Sequence, residues 1–317
     1  MSALMSGSPL GRLQEPQAKP TAAQKEKGRV VNVILGNLQI KPWYPSFYSD
    51  SIAGESPIER LYVCQWCFRY SRELMPYLGH LKVCPLKDKP PPGDLIYRKD
   101  QYAIHVLDAE EHKLYAQNLS LFAKLFLDTK SVFYDVATFR FYNLTQVDRT
   151  TGQQQVVGFF SKEKMSWDNN NVACILVFPP WQKRGLGQLL MGVSYELGRR
   201  EGRLGGPEKP LSSLGQRAYL AYWSAAICRY LLTLPPKRSA SIGSITQETW
   251  ILPEDVIAAL KWMSVLEDEK NPDGAVVVQK AKVRAWAEAN GVAAASAVDL
   301  AAFVEAIPRG SSERMVE

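Results

Sequence analysis

Three cysteines and one histidine lie in a short stretch with the spacing of a zinc site. Cys64, Cys67, His80 and Cys84 form the pattern Cys-x2-Cys-x12-His-x3-Cys, which supplies the ligand number and softness that tetrahedral zinc requires. The first spacing presents two thiolates to one ion, and a His four residues before a Cys places both on one helix face. We predict a closed, structural zinc site; the alternative is buried apolar cysteines beside a surface histidine.

A zinc finger alone is also compatible with a DNA-binding module. The classical DNA-reading finger has a second histidine and usually occurs in arrays, whereas this chain has one finger followed by a large α/β pattern. We therefore expect the finger to act as a buttress or as a contact surface.

A second candidate for chemistry is the loop from Gln182 to Gly187. It lies between an apolar run and a predicted helix, where free N–H groups and the positive helix end receive phosphate oxygens. Gly185 and Gly187 let a pyrophosphate approach the backbone, and Lys183 and Arg184 add charged donors. A plain strand-to-helix connection would have a similar sequence, because neither Gly-x-Gly-x-x-Gly nor a Gly-Lys-Ser/Thr end is present.

The elements that must position these groups form an α/β (α+β) pattern. Alternation predicts strands, apolar spacing of three and four predicts helices, and the unbroken apolar run at 171–178 predicts a central buried strand. The predicted strands are Val30–Leu38, a strand around Tyr102–Val106, a short strand at Lys113–Tyr115 after a polar turn at 108–111, Val132–Tyr142, Val156–Phe160 and Asn171–Phe178. The predicted helices are 119–127, 186–200, 211–232 and shorter ones from Pro253 onward.

Composition and charge divide the chain and limit its class. We expect a flexible leader at 1–30, N-terminal strands and the zinc finger at 31–93, a core at 94–235 and a helical region at 236–317. No apolar run approaches the ~20 residues that cross a bilayer, and no signal peptide is recognisable, so we expect an intracellular protein without disulfides or membrane contact. The net charge of +6 favours acidic partners such as nucleic acid or a phosphorylated cofactor.

Several segments, in order, resemble the MYST histone acetyltransferases. Those enzymes carry a Cys-Cys-His-Cys finger at the corresponding distance upstream, and the resemblance covers residues 38–265. The matching segments are Leu125–Lys130, Phe159–Lys164, Asn171–Leu176, the Gln-x-x-Gly-x-Gly run at 182–187, Ser194–Leu197 and Gly206–Ser212. The stretch Leu119–Lys124 and the N-terminus without a chromo-like barrel are most similar to the fungal silencing (SAS-type) branch. The resemblance implies a GNAT-like acetyl-CoA-binding core and a helix-turn-helix-like C-terminal region.

The resemblance also implies a catalytic pair. Transfer to a lysine requires a base, because an amine with a pKa of ~10.4 is protonated at neutral pH. Glu208 matches the family's glutamate, and we expect desolvation to raise its pKa; outside the family context it would be a solvated loop charge. Cys174 matches the cysteine beside the thioester. It accepts the acetyl group or merely packs against it, and we favour packing because apolar surroundings disfavour a thiolate.

Cofactor contacts follow from the same resemblance. The acetyl-CoA contacts are expected from Ile175, Val177, Gln182, Lys183, Arg184, Gly185, Leu186, Gly187, Gln188 and Ser212. The family has a second serine near Ala221, so one contact is missing here, and Phe178, Pro180 and Trp181 also depart from its pattern. Lys130 matches a lysine that is autoacetylated in relatives; by itself it would be a surface charge.

The function implied is acetylation of a histone-tail lysine, on histone 4, in the nucleus. Nucleosomes, accessory subunits of a silencing-type complex and a weak DNA contact are the implied partners. One alternative is a non-catalytic chromatin adaptor with a degenerate transferase fold, although intact Cys174, Glu208, Gly185 and Gly187 argue against decay. Another is acetylation of a small amine or a non-histone protein, which would use the same cofactor motifs.

Overall fold

The computed structural model describes residues 29–46, 48, 57–235, 240–266 and 280–304. The predicted leader is therefore outside the described residues except for its last two positions. The architecture is mixed α/β, as predicted, with a small N-terminal sheet, a five-stranded sheet and helices after it. None of the described helices is long and apolar enough to span a bilayer.

The N-terminal sheet carries the predicted metal ligands. Its strands are β1 (Val30–Leu35), β2 (Leu38–Ile40), β3 (Ile58–Val63) and β4 (Tyr70–Ser71), in the order β2-β1-β3-β4, followed by helix α1 (Leu74–Val83). The single strand predicted over Val30–Leu38 is two strands, because Gly36 turns the chain with a φ of 60° and β1 pairs antiparallel with β2. Strands β1 and β3 are parallel.

The second sheet is an antiparallel meander in chain order. Its strands are β5 (Asp94–Lys99), β6 (Tyr102–Asp108), β7 (Phe139–Val147), β8 (Gln154–Glu163) and β9 (Cys174–Val177), and helix α2 (Lys113–Lys124) connects β6 to β7. The polar turn predicted at 108–111 is present at 109–112. Aromatic rings from the finger and from α2 meet at this sheet, since Phe68, Phe122 and Phe178 lie within 6.0 Å of one another by ring centroid.

Two predicted strands are wrong in extent or type. Residues Lys113–Tyr115 are the first turn of α2, where Leu114 is exposed and Tyr115 and Ala116 are buried. Three residues are too few for alternation to be told from a helix period. The strand predicted from Val132 begins only at Phe139, because the preceding chain turns, with the Phe139 amide bonded to the Val136 carbonyl at 3.0 Å.

The predicted central strand at 171–178 is an edge strand. Regular pairing is confined to Cys174–Val177, and β9 has β8 as its single neighbour in the sheet. The apolar run reflects burial by a helix rather than by a second strand. Helix α3 (Leu186–Arg200) packs against β8 and β9, and its bounds agree with the predicted helix. Among the described residues, one long edge of β9 therefore has no strand partner.

A second apolar core joins α3 to the C-terminal helices. Helix α4 (Ser213–Thr233) packs against α5 (Ile242–Thr249), α6 (Pro253–Trp262) and α7 (Lys280–Ala289). Pro253 occupies the first turn of α6, as predicted. Beyond α7 the chain returns to the five-stranded sheet, where Phe303 bridges to Tyr97 and stacks edge-on at 5.2 Å.

Candidate active site

The four predicted zinc ligands converge. Their ligand atoms lie within 4.8 Å of one another, with 3.8 Å between Cys64 Sγ and Cys84 Sγ and 3.2 Å between Cys67 Sγ and His80 Nε2. Tetrahedral zinc–sulfur bonds of about 2.3 Å separate two sulfurs by about 3.8 Å. The donor set therefore fits zinc, and four protein ligands leave no open position for catalysis.

Local backbone geometry holds this knuckle and ties it to the core. The Phe68 amide donates to the Cys64 carbonyl at 2.9 Å, and the Cys64 amide donates to the Arg69 carbonyl at 2.8 Å. Phe68 has a φ of 59°, which directs its buried ring inward against Phe122 and Phe178. The second pair of ligands comes from His80 in α1 and Cys84, which caps that helix. The knuckle thus buttresses the sheet.

The predicted phosphate loop forms an uncapped helix start. Gly185, at φ 78°, precedes the first residue of α3, and no side chain in the described part of the chain caps the free amides of that turn. Lys183 and Arg184 are exposed beside it. Gln182 closes the loop by donating from Nε2 to the Val177 carbonyl at 2.8 Å. Free amides at a positive helix end, next to two cations, form an anion-binding arrangement.

Glycine suits positions 185 and 187 of the loop for different reasons. Gly185 adopts a left-handed conformation that favours glycine. Gly187 has no such conformation, and a Cβ added there would meet no heavy atom within 4 Å. The fold itself therefore does not require a glycine at 187, but a ligand approaching the backbone would.

The open edge of β9 leads away from this loop. The Phe178 amide donates to the Val157 carbonyl of β8 at 2.8 Å. Because pairing directions alternate along an antiparallel strand, the backbone groups of Ile175 and Val177 face the open edge. The bond from Gln182 to the Val177 carbonyl is in keeping with that direction. An extended ligand lying along this edge could bond to both residues.

Cys174 and Glu208 share one cavity. Its volume is about 220 Å³, and it lies at the ends of β8 and β9, below the loop that follows α3. Its polar and reactive lining residues are Thr129, Lys130, Ser131, Ser161, Glu163, Cys174, Glu208 and Lys209. Another cavity, about 360 Å³ between α3, α4 and the chain near Val298, contains none of the predicted site residues.

A lysine lies beside the predicted cysteine. Lys130 is buried, and its Nζ is 3.8 Å from Cys174 Sγ. Sequence reasoning treated Lys130 by itself as a surface charge, and in that respect it was wrong. The two residues are 44 positions apart, and no local pattern signals their contact.

Glu208 is held by the chain segment just before β9. Its amide donates to the Val172 carbonyl at 2.8 Å, and Val172 and Pro207 form a parallel bridge. The pKa of the Glu208 carboxyl is raised, first by partial burial and then by the nearby Glu163 carboxylate, while Lys130 opposes the rise. A carboxyl group with a raised pKa is a better proton acceptor near neutral pH. Glu163 was not among the predicted site residues.

Two predicted cofactor residues, Ser212 and Gln188, have hydrogen-bond partners within the protein. Two of the residues that depart from the family's pattern, Phe178 and Trp181, lie in the core. Ser212 caps α4 by accepting from the Gly215 amide at 3.1 Å, and it does not line the cavity. Gln188 donates from Nε2 to the Ala218 carbonyl at 3.5 Å, which joins the start of α3 to α4. Phe178 is fully buried, and Trp181 donates to Gln146 at 3.1 Å.

Comparison with known families agrees with this arrangement. The model of the MYST family zinc finger domain matches residues 29–84, and the model of the MOZ/SAS family matches residues 90–301, well over half of the chain. This chain belongs to the MOZ/SAS family. Both the zinc knuckle and the cavity of this MOZ/SAS protein lie within the matched regions.

Curated relatives are similar over most of this MOZ/SAS chain. The histone acetyltransferase Tip60 homolog of Caenorhabditis elegans is 41% identical over 236 residues, 74% of this chain and 50% of that protein. Histone acetyltransferase MOF of Drosophila melanogaster is 37% identical over 281 residues, 86% of this chain and 33% of that protein. Histone acetyltransferase KAT6B of Macaca fascicularis is 39% identical over 257 residues, 81% of this chain and 14% of that protein. The chain thus spans half or less of the length of these relatives.

Among solved structures, an aminoglycoside acetyltransferase from an uncultured soil metagenomic sample overlaps 44% of this MOZ/SAS chain and 91% of its own. The identity is 14% and the TM-score is 0.27. An overlap of this size carries no argument about function.

Proposed function

We propose that this protein transfers the acetyl group of acetyl-CoA to a lysine of a histone tail. The observation that carries the proposal is the meeting of Cys174, Glu208 and Lys130 in one cavity, at the end of an open strand edge that leads to an uncapped helix start. The family match and relatives named as histone acetyltransferases support the same reaction. The core would then be a GNAT-like acetyl-CoA-binding unit.

The coenzyme would lie along β9 with its pyrophosphate at the start of α3. In this proposal the amides of 186–188, with Lys183, Arg184 and Gln182 around them, bind the phosphates. The outward backbone groups of Ile175 and Val177 bond to the extended arm. Ser212, at the N-terminus of α4, adds a hydroxyl from the neighbouring helix. The space around Gly185 and Gly187 supports this placement.

Glu208 would act as the general base. A lysine entering the cavity must lose a proton before its nitrogen can attack the thioester carbon. The raised pKa of the Glu208 carboxyl brings it closer to the operating pH, so that it accepts this proton directly or through water. The coenzyme then leaves as a thiol, and the new bond joins the lysine nitrogen to the acetyl carbon.

Cys174 would pack beside the thioester rather than carry the acetyl group. Cys174 is half-buried and lines the cavity together with the apolar side chains of Val132, Val136 and Phe141. Lys130 brings a positive charge to 3.8 Å from the sulfur, and acetylation of Lys130 would remove it. A covalent acetyl-cysteine route is the alternative that experiment must exclude.

The wider setting is also part of the proposal. We infer a structural zinc in the finger, a nuclear location, nucleosomes with histone 4 as substrate, accessory subunits and a weak DNA contact. Helices α5 and α6, joined by the short link 250–252, would form the helix-turn-helix-like element. Membership of the fungal silencing branch rests on Leu119–Lys124 and stays a prediction.

Mapping of acetyl marks by mass spectrometry tests this function. Purified protein, acetyl-CoA and nucleosomes should yield acetylated tail lysines, with histone 4 marked first, and the Glu208→Gln protein should yield few. Calorimetric titration with acetyl-CoA separates the rival function. Absence of both acetyl-CoA binding and acetylation would favour a non-catalytic chromatin adaptor.

A further inference from the structure

The loop that carries Glu208 is fixed on one side by the chain before β9. The Asn171 amide donates to the Gly206 carbonyl at 2.9 Å, and its side-chain amide donates to the Gly205 carbonyl at 3.2 Å. With the bond from the Glu208 amide to Val172 at 2.8 Å, three hydrogen bonds hold this side. All of them reach backbone atoms from Gly205 to Glu208.

A buried carboxylate from α6 fixes the opposite side. Lys209, next to Glu208, places Nζ 2.7 Å from Asp255 Oδ1. Asp255 is 3% exposed and lies 46 residues away in the first turn of α6. A Cβ added to Gly206 would meet Asp255 Oδ2 at 3.1 Å and Leu252 Cδ1 at 3.0 Å. The start of α6 therefore packs directly on the loop.

The ion pair is poorly explained by stability alone. Burying a carboxylate costs several kcal/mol unless its partners are well placed. Burial raises the pKa of Asp255, although Lys209 lowers it, and Asp255 Oδ2 has no hydrogen-bond partner among the described residues. Apolar residues of similar volume at both positions would often be as stable. The pair does, however, set where the residue next to Glu208 lies.

We propose that Asp255 is a positioning residue, which holds the Glu208 loop over the cavity through its ion pair with Lys209. This inference rests on the proposed function for its catalytic consequence. The C-terminal helices thereby support the acetyl-transfer cavity from outside it. Asp255 does not line the cavity and touches no reacting atom.

The first test is the isosteric substitution Asp255→Asn. It removes the nearer and buried one of the two carboxylates that pair with Lys209, at 2.7 Å, and leaves the exposed Glu254 at 3.7 Å. The carboxyl of Glu208 then loses its fixed place, and a displacement near 1 Å lowers kcat by on the order of 10²-fold. The KM for acetyl-CoA should stay within about twofold, because the proposed coenzyme contacts lie on β9 and α3. Rates are normalised to the number of coenzyme A sites measured by calorimetry, so that loss of folded protein is not counted.

A double variant distinguishes positioning from stability. Lys209→Met with Asp255→Leu leaves no buried charge unpaired, so its melting temperature should recover relative to either single variant. Its kcat should remain low, because the ion pair between Lys209 and Asp255 is still absent. Glu201→Gln is the matched control, since it removes the carboxylate 2.6 Å from Lys162 at the end of α3, and its kcat should equal that of the wild type.

Hydrogen exchange gives a readout that does not need activity. In Asp255→Asn the backbone amide of Glu208, which donates to the Val172 carbonyl, should exchange at least about tenfold faster than in the wild type and in Glu201→Gln. Unchanged exchange and unchanged kcat in Asp255→Asn would overturn the inference, as would a double variant whose kcat recovers together with its melting temperature. A wild-type protein that transfers no acetyl group would overturn the proposed function alone, because exchange still reports whether Asp255 holds the loop.

Discussion

Replacing Gly187 with alanine should separate folding from coenzyme binding. Gly187 lies in the first turn of α3, and its φ is not in the left-handed region. A Cβ there meets no heavy atom within 4 Å, so no packing is lost. Alanine also has less backbone freedom in the unfolded chain, and the free energy of unfolding should stay constant or rise by up to about 1 kcal/mol.

The expected loss is in the affinity for coenzyme A. A methyl group at 187 would hold the pyrophosphate away from the amides at the start of α3. Loss of one charge-assisted hydrogen bond costs about 1.5–3 kcal/mol, and about 1.4 kcal/mol corresponds to a tenfold change in Kd. Gly187→Ala should therefore bind coenzyme A about 10- to 100-fold more weakly.

Calorimetric titration with coenzyme A and urea unfolding measure the two effects. Gly79→Ala is the matched control, because Gly79 lies within helix α1 of the zinc finger and has open space around it. Both variants should be at least as stable as the wild type, and only Gly187→Ala should lose affinity. Wild-type affinity in Gly187→Ala would refute the placement of the pyrophosphate at this loop.

Three further predictions concern the base, the cysteine and the metal. Glu208→Gln should lower kcat by about 10²- to 10⁴-fold. The wild-type kcat/KM should rise with pH as the carboxyl ionises, at a higher pH than for an ordinary glutamate because its pKa is raised, and the variant should lack this rise. Cys174→Ala should lower kcat by less than about tenfold if the thiol only packs, and intact-mass measurement should find no acetyl group on Cys174. Chelation of zinc should lower the melting temperature and loosen the packing of Phe68, since zinc contributes about 10–16 kcal/mol in isolated fingers.

Each of these has a contrary outcome. A Glu208→Gln enzyme with normal turnover across the pH range would exclude Glu208 as the base. An acetyl-Cys174 species trapped with acetyl-CoA alone would establish the covalent route. A melting temperature that does not change after chelation, measured with and without re-added zinc, would show that the finger does not depend on the metal.

Local spacing was enough to predict the zinc ligands and helix α3. Two cysteines three positions apart, and a histidine four positions before a cysteine, are brought together by one turn of chain, so their pattern survives in the sequence. The apolar stripe of α3 repeats over 15 residues, long enough for the helical period to be unambiguous. The loop before α3 was predicted from Gly185 and Gly187 and from the apolar strand that precedes them.

The composition of residues 171–178 could not show whether the strand is covered by a helix or flanked by strands on both sides. The run at 171–178 is apolar because α3 and the sheet cover it, and the same residues would suit a strand with two neighbours. Only the chain order of the meander decided that β9 lies at the edge. That outcome leaves the backbone of Ile175 and Val177 open for a ligand, a property that side-chain types do not encode.

Contacts between distant residues were decided by the tertiary structure. Lys130 meets Cys174 across 44 residues, and Lys209 meets Asp255 across 46. From its own segment alone, each of these residues would be predicted to be an ordinary surface charge or, for Cys174, a core thiol. The sequence by itself determined the metal ligands and predicted the phosphate loop, because these depend on local geometry, whereas Glu208 was predicted as the base only from the resemblance to the family. The fold alone determined which charges lie beside them, since the position of a side chain in space depends on every element packed between the two segments.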